Sequence, residues 1–197
     1  TDISGTVKLN NGVEMPYFGL GTWQSNEGPE VKNAVHYALD AEYRLIDTAT
    51  LYQNERSIGE AIRENGVKRD ELFITTKVWN DDQGFESTLK AYDRSLKLLG
   101  VEKIDLYLIH WPVTGKYIET WRALEKIYKE GRVRAIGISN FMPVHLAKLL
   151  PEVEIMPAVN QMEFHPYLIQ QELVDLCAAN NIVYQAWSPI MQGMVFD

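Results

Sequence analysis

Three short apolar runs end in groups that can ionise: Asp47 closes RLID, Lys77 closes LFITTK and His110 closes LYLIH. Three more end in polar or aromatic groups, with Ser139 and Asn140 closing RAIGISN, Gln161 in AVNQ, and Trp187 with Ser188 closing IVYQAWS. A half-buried ammonium at Lys77 needs a carboxylate, and Asp47 is the nearest candidate. Tyr52 follows Asp47 in DTATLYQNE. A fixed ammonium stabilises phenolate and lowers a tyrosine pKa from about 10. A tuned phenol is a general acid for a carbonyl oxygen, and His110 could bond the same oxygen. The bland alternatives are helix caps at Ser139, Asn140 and Ser188, and rim packing at Tyr52. Capping suits Lys77 and His110 poorly, because a cation at a helix N-terminus opposes the macrodipole.

Successive positions 47, 77, 110, 139, 161 and 187 are each separated by about one strand, one helix and two loops. The runs YFGLGT, RLIDTA, LFITTKVW, DLYLIHW, RAIGISNF, AVNQMEF and IVYQAW read as strands. Helical faces lie between them. Val31, Ala34, Val35, Ala38 and Leu39 make one, with Pro29 in its first turn. Leu89, Tyr92, Leu96 and Leu99 make another, closed by Gly100; Ile118, Trp121, Leu124 and Tyr128 a third, closed by Gly131; Leu173, Val174, Leu176 and Cys177 a fourth. Strand–helix alternation predicts parallel strands with right-handed crossovers, in an open doubly wound sheet or most of an eight-stranded barrel. One unit per step returns the chain to the same end, so the polar groups converge at the C-terminal mouth. Ahead of this, Val7, Leu9, Asn10-Asn11-Gly12, Val13 and Met15 read as a hairpin that could close the other end.

The chain has 197 residues and a net charge of −8, which argues against a nucleic-acid partner. No stretch approaches the roughly 20 apolar residues of a membrane span, so neither membrane insertion nor secretion is expected. One cysteine, Cys177, permits no internal disulfide, which fits a cytoplasmic location. Nucleophile-elbow and P-loop motifs are absent. The four histidines, His36, His110, His145 and His165, lack zinc spacing. His36 reads as a surface or packing residue, His145 as solvated at a helix start, and His165 as packed beside Pro166. Asn80-Asp81-Asp82 reads as a helix entry rather than a calcium loop. GLGTWQ has two glycines of a dinucleotide fingerprint but Gln24 where the third belongs. Cys177 reads as core.

The ordered set DTATLYQNE, ITTKVW, LYLIHWP, GISNF, NQMEFHP and AWSP resembles the aldo-keto reductase superfamily, across nearly the whole chain. The likeness is strongest to small bacterial and protozoan NADPH-dependent reductases of aldehydes, ketoaldehydes and related carbonyls. It implies a (β/α)8 TIM barrel with an N-terminal hairpin, one domain over 1–197. It implies NADPH as cofactor, a small carbonyl compound as substrate, and a catalytic set of Asp47, Tyr52, Lys77 and His110. By the same resemblance Gly21, Thr22, Asp47, Ser139, Asn140, Gln161, Trp187, Ser188 and Gly193 bind the cofactor, Trp187 by stacking. Trp23, Tyr52, Trp79, His110 and Trp111 line the substrate pocket. Members of the family continue past a seventh strand, so the resemblance leads us to expect that the last unit is missing here. The first residue is Thr, from which we expect a processed or trimmed start. A complete barrel would be a monomer; unpaired edges would allow self-association. Two other readings stay open: a cofactor-binding module without turnover, and an inactive partial barrel.

Overall fold

The structure, a computed structural model, describes residues 4–196. β1 (Thr6–Lys8) and β2 (Glu14–Pro16) pair antiparallel. Leu9, expected in the first strand, instead opens the turn, where the Gly12 N–H bonds the Leu9 carbonyl at 2.9 Å. Gly12 takes φ +87° there, which glycine adopts without steric cost. Leu9 and Met15 are buried against Leu45, Phe73, Leu106 and Leu108. Leu45 and Phe73 are the first residues of their strands, so the hairpin plugs the N-terminal end of the barrel.

All seven expected strands form. They are β3 (Gly19–Gly21), β4 (Leu45–Asp47), β5 (Phe73–Val78), β6 (Ile104–Ile109), β7 (Val133–Ser139), β8 (Val159–Glu163) and β9 (Val183–Trp187). Each pairs in parallel with the next, in one sheet ordered β3-β4-β5-β6-β7-β8-β9. This is seven strands of an α/β barrel, and the doubly wound alternative is excluded, because that fold does not keep its strands in sequence order. Among the described residues no strand pairs with the outer edge of β3 or of β9.

Strand alternation sorts the side chains into two layers. Ile46, Ile74, Tyr107, Ile109, Ile136 and Ile138 face outward into a core shared with the helices. Leu45, Phe73, Leu106, Leu108, Ala135 and Val159 face inward. By the same period of two, Asp47, Lys77, His110, Ser139, Gln161, Gln185 and Trp187 point to the interior near the C-terminal ends of their strands.

The crossovers are α1 (Pro29–Asp40), α2 (Glu55–Asn65), α3 (Phe85–Leu99), α4 (Tyr117–Lys129), α5 (Pro143–Leu149) and α6 (Gln171–Ala179). Pro29 occupies the first turn of α1, and Gly100 ends α3 at φ +65°. α2 and α5 are the two helices whose apolar faces were not marked out from the sequence. The buried residues of α2 are Glu55, Ser57, Ile58, Gly59, Ala61 and Ile62, so half of its packed face is polar or lacks a side chain. Gly59 is required there: a Cβ would stand 2.1 Å from the Leu99 carbonyl oxygen at the end of α3. Gly59→Ala therefore sets a helix-propensity gain of about 1 kcal/mol against a backbone clash. Relieving such overpacking costs about 1–3 kcal/mol, so we expect a net loss, read as a lower urea midpoint with unchanged m.

Candidate active site

β4 and β5 place Asp47 and Lys77 side by side. Lys77 Nζ donates to Asp47 Oδ1, and to the Thr48 carbonyl at 3.0 Å. The Lys77 side chain is 1% exposed and that of Asp47 15%. Burial pulls the Lys77 pKa down, but the Asp47 carboxylate and the Tyr52 phenol together outweigh it, and the net direction is up. The ammonium therefore stays charged.

Tyr52 ends a short 3-10 turn, Thr50–Tyr52, in the loop after β4. Lys77 Nζ lies 5.3 Å from its ring centroid. The ring meets His110 edge to face, with centroids 5.7 Å apart. Trp79 also meets the imidazole edge to face, with centroids 5.2 Å apart. A phenol, an ammonium, a carboxylate and an imidazole thus converge at one mouth, as the strand spacing requires.

The expected direction of the phenol shift needs correction. Lys77 does push the Tyr52 pKa down, but burial is the larger cause and Asp47 adds to it, so the net direction is up. Lys77 limits a rise rather than producing a fall. The phenol is therefore fully protonated at neutral pH.

His110 is 6% exposed, and its Nδ1 is buried with no hydrogen-bond partner among the described residues. Burial, with the nearby Lys77 charge, lowers its pKa from 6.5 to about 3. The ring is neutral at physiological pH and can meet an oxygen as a hydrogen-bonding dipole, not as an acid. Between pH 3 and 6.5 the unfolded chain binds a proton that the folded chain refuses, so stability rises with pH. The contribution is fully present above about 6.5 and is lost as pH falls towards 3. Comparing urea midpoints of the parent and His110→Gln should show the parent losing roughly 1–3 kcal/mol more between neutral pH and about pH 4.5. Equal pH slopes would overturn the assignment of a neutral His110.

The β7, β8 and β9 groups meet on the other side of the mouth. Asn140 follows β7 at φ +65°, a left-handed conformation that Asn tolerates better than most residues. Its Nδ2 donates to the His110 carbonyl at 3.0 Å and to Ser139 Oγ at 3.1 Å, and its Oδ1 accepts from Trp187 Nε1 at 3.0 Å. Ser139 Oγ donates to the Gln161 carbonyl at 2.9 Å. Gln161 Nε2 donates to Asp47 Oδ2 at 2.7 Å and to Gln185 Oε1 at 3.0 Å. Ser139 and Asn140 are thus bonded within the protein, while no donor among the described residues reaches Gln161 Oε1. Trp187 is half-buried and anchored by its N–H, which leaves ring surface at the mouth.

The remaining expected positions are more varied. Thr22 is fully buried, its Oγ1 donating to the Asp47 carbonyl at 3.0 Å beside Gly21. Ser188 takes φ +50°, and Gly193, at φ +96°, has nothing within 4 Å of a Cβ position. Trp23 and Trp111 are exposed at 50% and 43%, beside the half-buried Trp79. His145 differs from expectation: its Nδ1 accepts from the Met142 N–H at 3.1 Å, and its ring packs on Tyr117 and Phe141, so it caps α5. His36 Nε2 lies 3.5 Å from Glu64, and His165 Nε2 3.4 Å from Glu163. Asn80–Asp82 forms a 3-10 turn leading towards α3.

Two supports escaped the sequence reading. Asn54 is fully buried, accepting from Thr48 Oγ1 at 2.7 Å and donating to the Thr22 and Ser25 carbonyls at 3.0 Å each. Glu55, also buried, accepts from Thr76 Oγ1 at 2.7 Å, next to Lys77. Together they tie the Tyr52 loop to β5 and to the loop after β3. The signal is Asn54-Glu55, one residue removed from the loop tyrosine and at the start of a helix.

Residues 18–197 match the model of the aldo/keto reductase family. The chain is 55% identical over 197 residues to glyoxal reductase of Bacillus subtilis, covering 100% of this chain and 71% of that protein. It superimposes on the crystal structure of an aldo/keto reductase from Brucella melitensis with a TM-score of 0.92 and 49% identity, covering 95% of this chain and 74% of that one. A Bombyx mori aldo-keto reductase solved in complex with NADP gives 0.88 and 37%, covering 95% and 67%. A barrel of this strand order, with these six motifs in place and these relatives, belongs to the aldo/keto reductase family.

Proposed function

We propose that this chain reduces small aldehydes and ketones, dicarbonyl compounds among them, with NADPH as reductant and Tyr52 as the proton donor. The observation that carries the reading is the packing of Tyr52 between Lys77 Nζ and His110, with Asp47 holding the ammonium. The name of the Bacillus relative, a glyoxal reductase, supports the substrate class, as does that of a methylglyoxal reductase of Salmonella typhimurium at 45% identity.

The residues fit a nicotinamide at the mouth. Gln161 Oε1 is open to a carboxamide N–H, Trp187 offers an anchored indole surface for stacking, and the orphaned His110 Nδ1 marks a polar site that protein groups leave unfilled. When bound, the nicotinamide would supply hydride to the carbonyl carbon. The protein's task is the proton. Tyr52 Oη gives its proton to the carbonyl oxygen as negative charge develops there. The Lys77 ammonium then stabilises the phenolate left behind. Neutral His110 orients the oxygen by a hydrogen bond. Trp23, Trp79 and Trp111 supply an apolar wall that limits water at the reacting atoms. Gly21, Thr22, Ser188 and Gly193 are assigned to the nucleotide side of the mouth, with Ser139 and Asn140 shaping its floor.

The test is loss of reduced-nicotinamide absorbance with NADPH and glyoxal, methylglyoxal or a simple aldehyde. Turnover supports the proposal. Tight NADPH binding without turnover on any of these favours a binding module instead.

A further inference from the structure

One nitrogen bridges opposite parts of the barrel wall. Gln161 Nε2, on β8, reaches Asp47 Oδ2 on β4 at 2.7 Å and Gln185 Oε1 on β9 at 3.0 Å. The polarity of this chain is forced by charge. An ionised carboxylate only accepts, so Gln161 must present its NH2 to Asp47. The second hydrogen of that NH2 then needs an acceptor, so Gln185 must present its oxygen. The two carboxylate oxygens are thereby given separate tasks: Oδ1 holds Lys77 and Oδ2 is held by Gln161. Rotation of the carboxylate, which would loosen Lys77 from its place over the Tyr52 ring, is restrained by Gln161. Rotation of the Gln161 amide is restrained in turn by Gln185.

We propose that Gln185 is a positioning residue for the proton donor: by accepting from Gln161 it aims that amide at Asp47, and so holds Lys77 in register with Tyr52. This rests on the reading of Tyr52 as the acid. Gln185 touches neither the Tyr52 phenol nor Lys77 through any contact described above, so its influence passes through Gln161 and Asp47. The charged and titratable groups facing the phenol are Asp47 from β4, Lys77 from β5 and His110 following β6.

The experiment compares Gln185→Met, Gln161→Met and the double variant, because Met matches the length of Gln without its polar atoms. The first readout uses the protein without nucleotide. Phenolate absorbance is titrated in each background with and without Tyr52→Phe, which isolates Tyr52 among the ten tyrosines. Loosening Asp47 and Lys77 should move the Tyr52 titration upward by about 0.3–1 pH unit, the effect of one hydrogen bond. The second readout is kcat, expected to fall about 2–10-fold in Gln185→Met with little change in KM for the carbonyl. The double variant should match Gln161→Met alone, since the two act in series. Additive effects, or a Gln185→Met protein with an unmoved Tyr52 titration, overturn the proposal. If Gln185→Met fails to fold, Gln185→Asn, which keeps the amide but shortens its reach, must show the same upward shift. If the titration shifts but no background reduces a carbonyl, the positioning stands and the reductase reading falls.

Discussion

Tyr52→Phe will lower carbonyl turnover by about 10²–10⁴-fold, the range lost when a positioned general acid is removed. The substitution deletes one oxygen. Tyr52 is half-buried, and its ring contacts with His110 and the cation above it survive in phenylalanine. Fold and stability should therefore change by less than about 1 kcal/mol. Nucleotide binding should persist, because the groups assigned to the nicotinamide lie on β7, β8 and β9. The expected signature is a collapse of kcat with intact NADPH fluorescence titration and an unchanged urea midpoint. Turnover comparable to the parent would remove Tyr52 from its role and leave proton delivery to water or to another residue at the mouth.

Lys77→Met should damage stability and turnover together, and the two effects can be separated. Lys77 is almost fully buried, while Asp47 keeps 15% exposure. Removing the cation leaves a carboxylate with Gln161 as its remaining side-chain partner. Breaking a buried pair costs about 3–5 kcal/mol, and the residual exposure of Asp47 places this case near about 3 kcal/mol. The phenol loses the one nearby cation that opposes its burial, so its pKa climbs further and it becomes a weaker acid. In Asp47→Asn with Lys77→Met both charges are gone. That variant should recover most of the lost stability but none of the turnover. Denaturant midpoints and kcat on the parent, both single variants and the double close the cycle. Additive stability losses would show that the pair is not coupled, and full turnover in Lys77→Met would show that the phenol works without an ammonium.

The convergence at the mouth was legible because polar groups close runs that are otherwise apolar. Such ends mark Asp47, Lys77, His110 and Gln161, and one crossover per step puts them at the same end. The apolar stripe of α2, Ile58 with Ala61 and Ile62, is short, and Glu55, Ser57 and Gly59 share its packed face, so it stands out less than those of α1, α3 and α4. Gln185 was hidden for a related reason: it sits mid-run in IVYQAW, and its importance lies in a partner on another strand. The sign of the Tyr52 shift depends on how deeply the ring is buried against how near the ammonium lies. Sequence names both opponents and gives neither distance. His145 likewise shows its capping role only once its ring nitrogen is placed beside the Met142 amide.

The depth of the wall that carries Lys77 has a kinetic corollary. β5 and β6 are buried along their whole length and are each paired on both sides, whereas the 3-10 turn that carries Tyr52 has no buried residue. Amide protons on the two strands will exchange with deuterium only through global opening, while those of the turn will exchange through small local excursions. Lys77 therefore belongs to the slowest-breathing wall of the molecule, and Tyr52 to one of its quicker segments. The ammonium stands on rigid ground, and the phenol on ground that can yield.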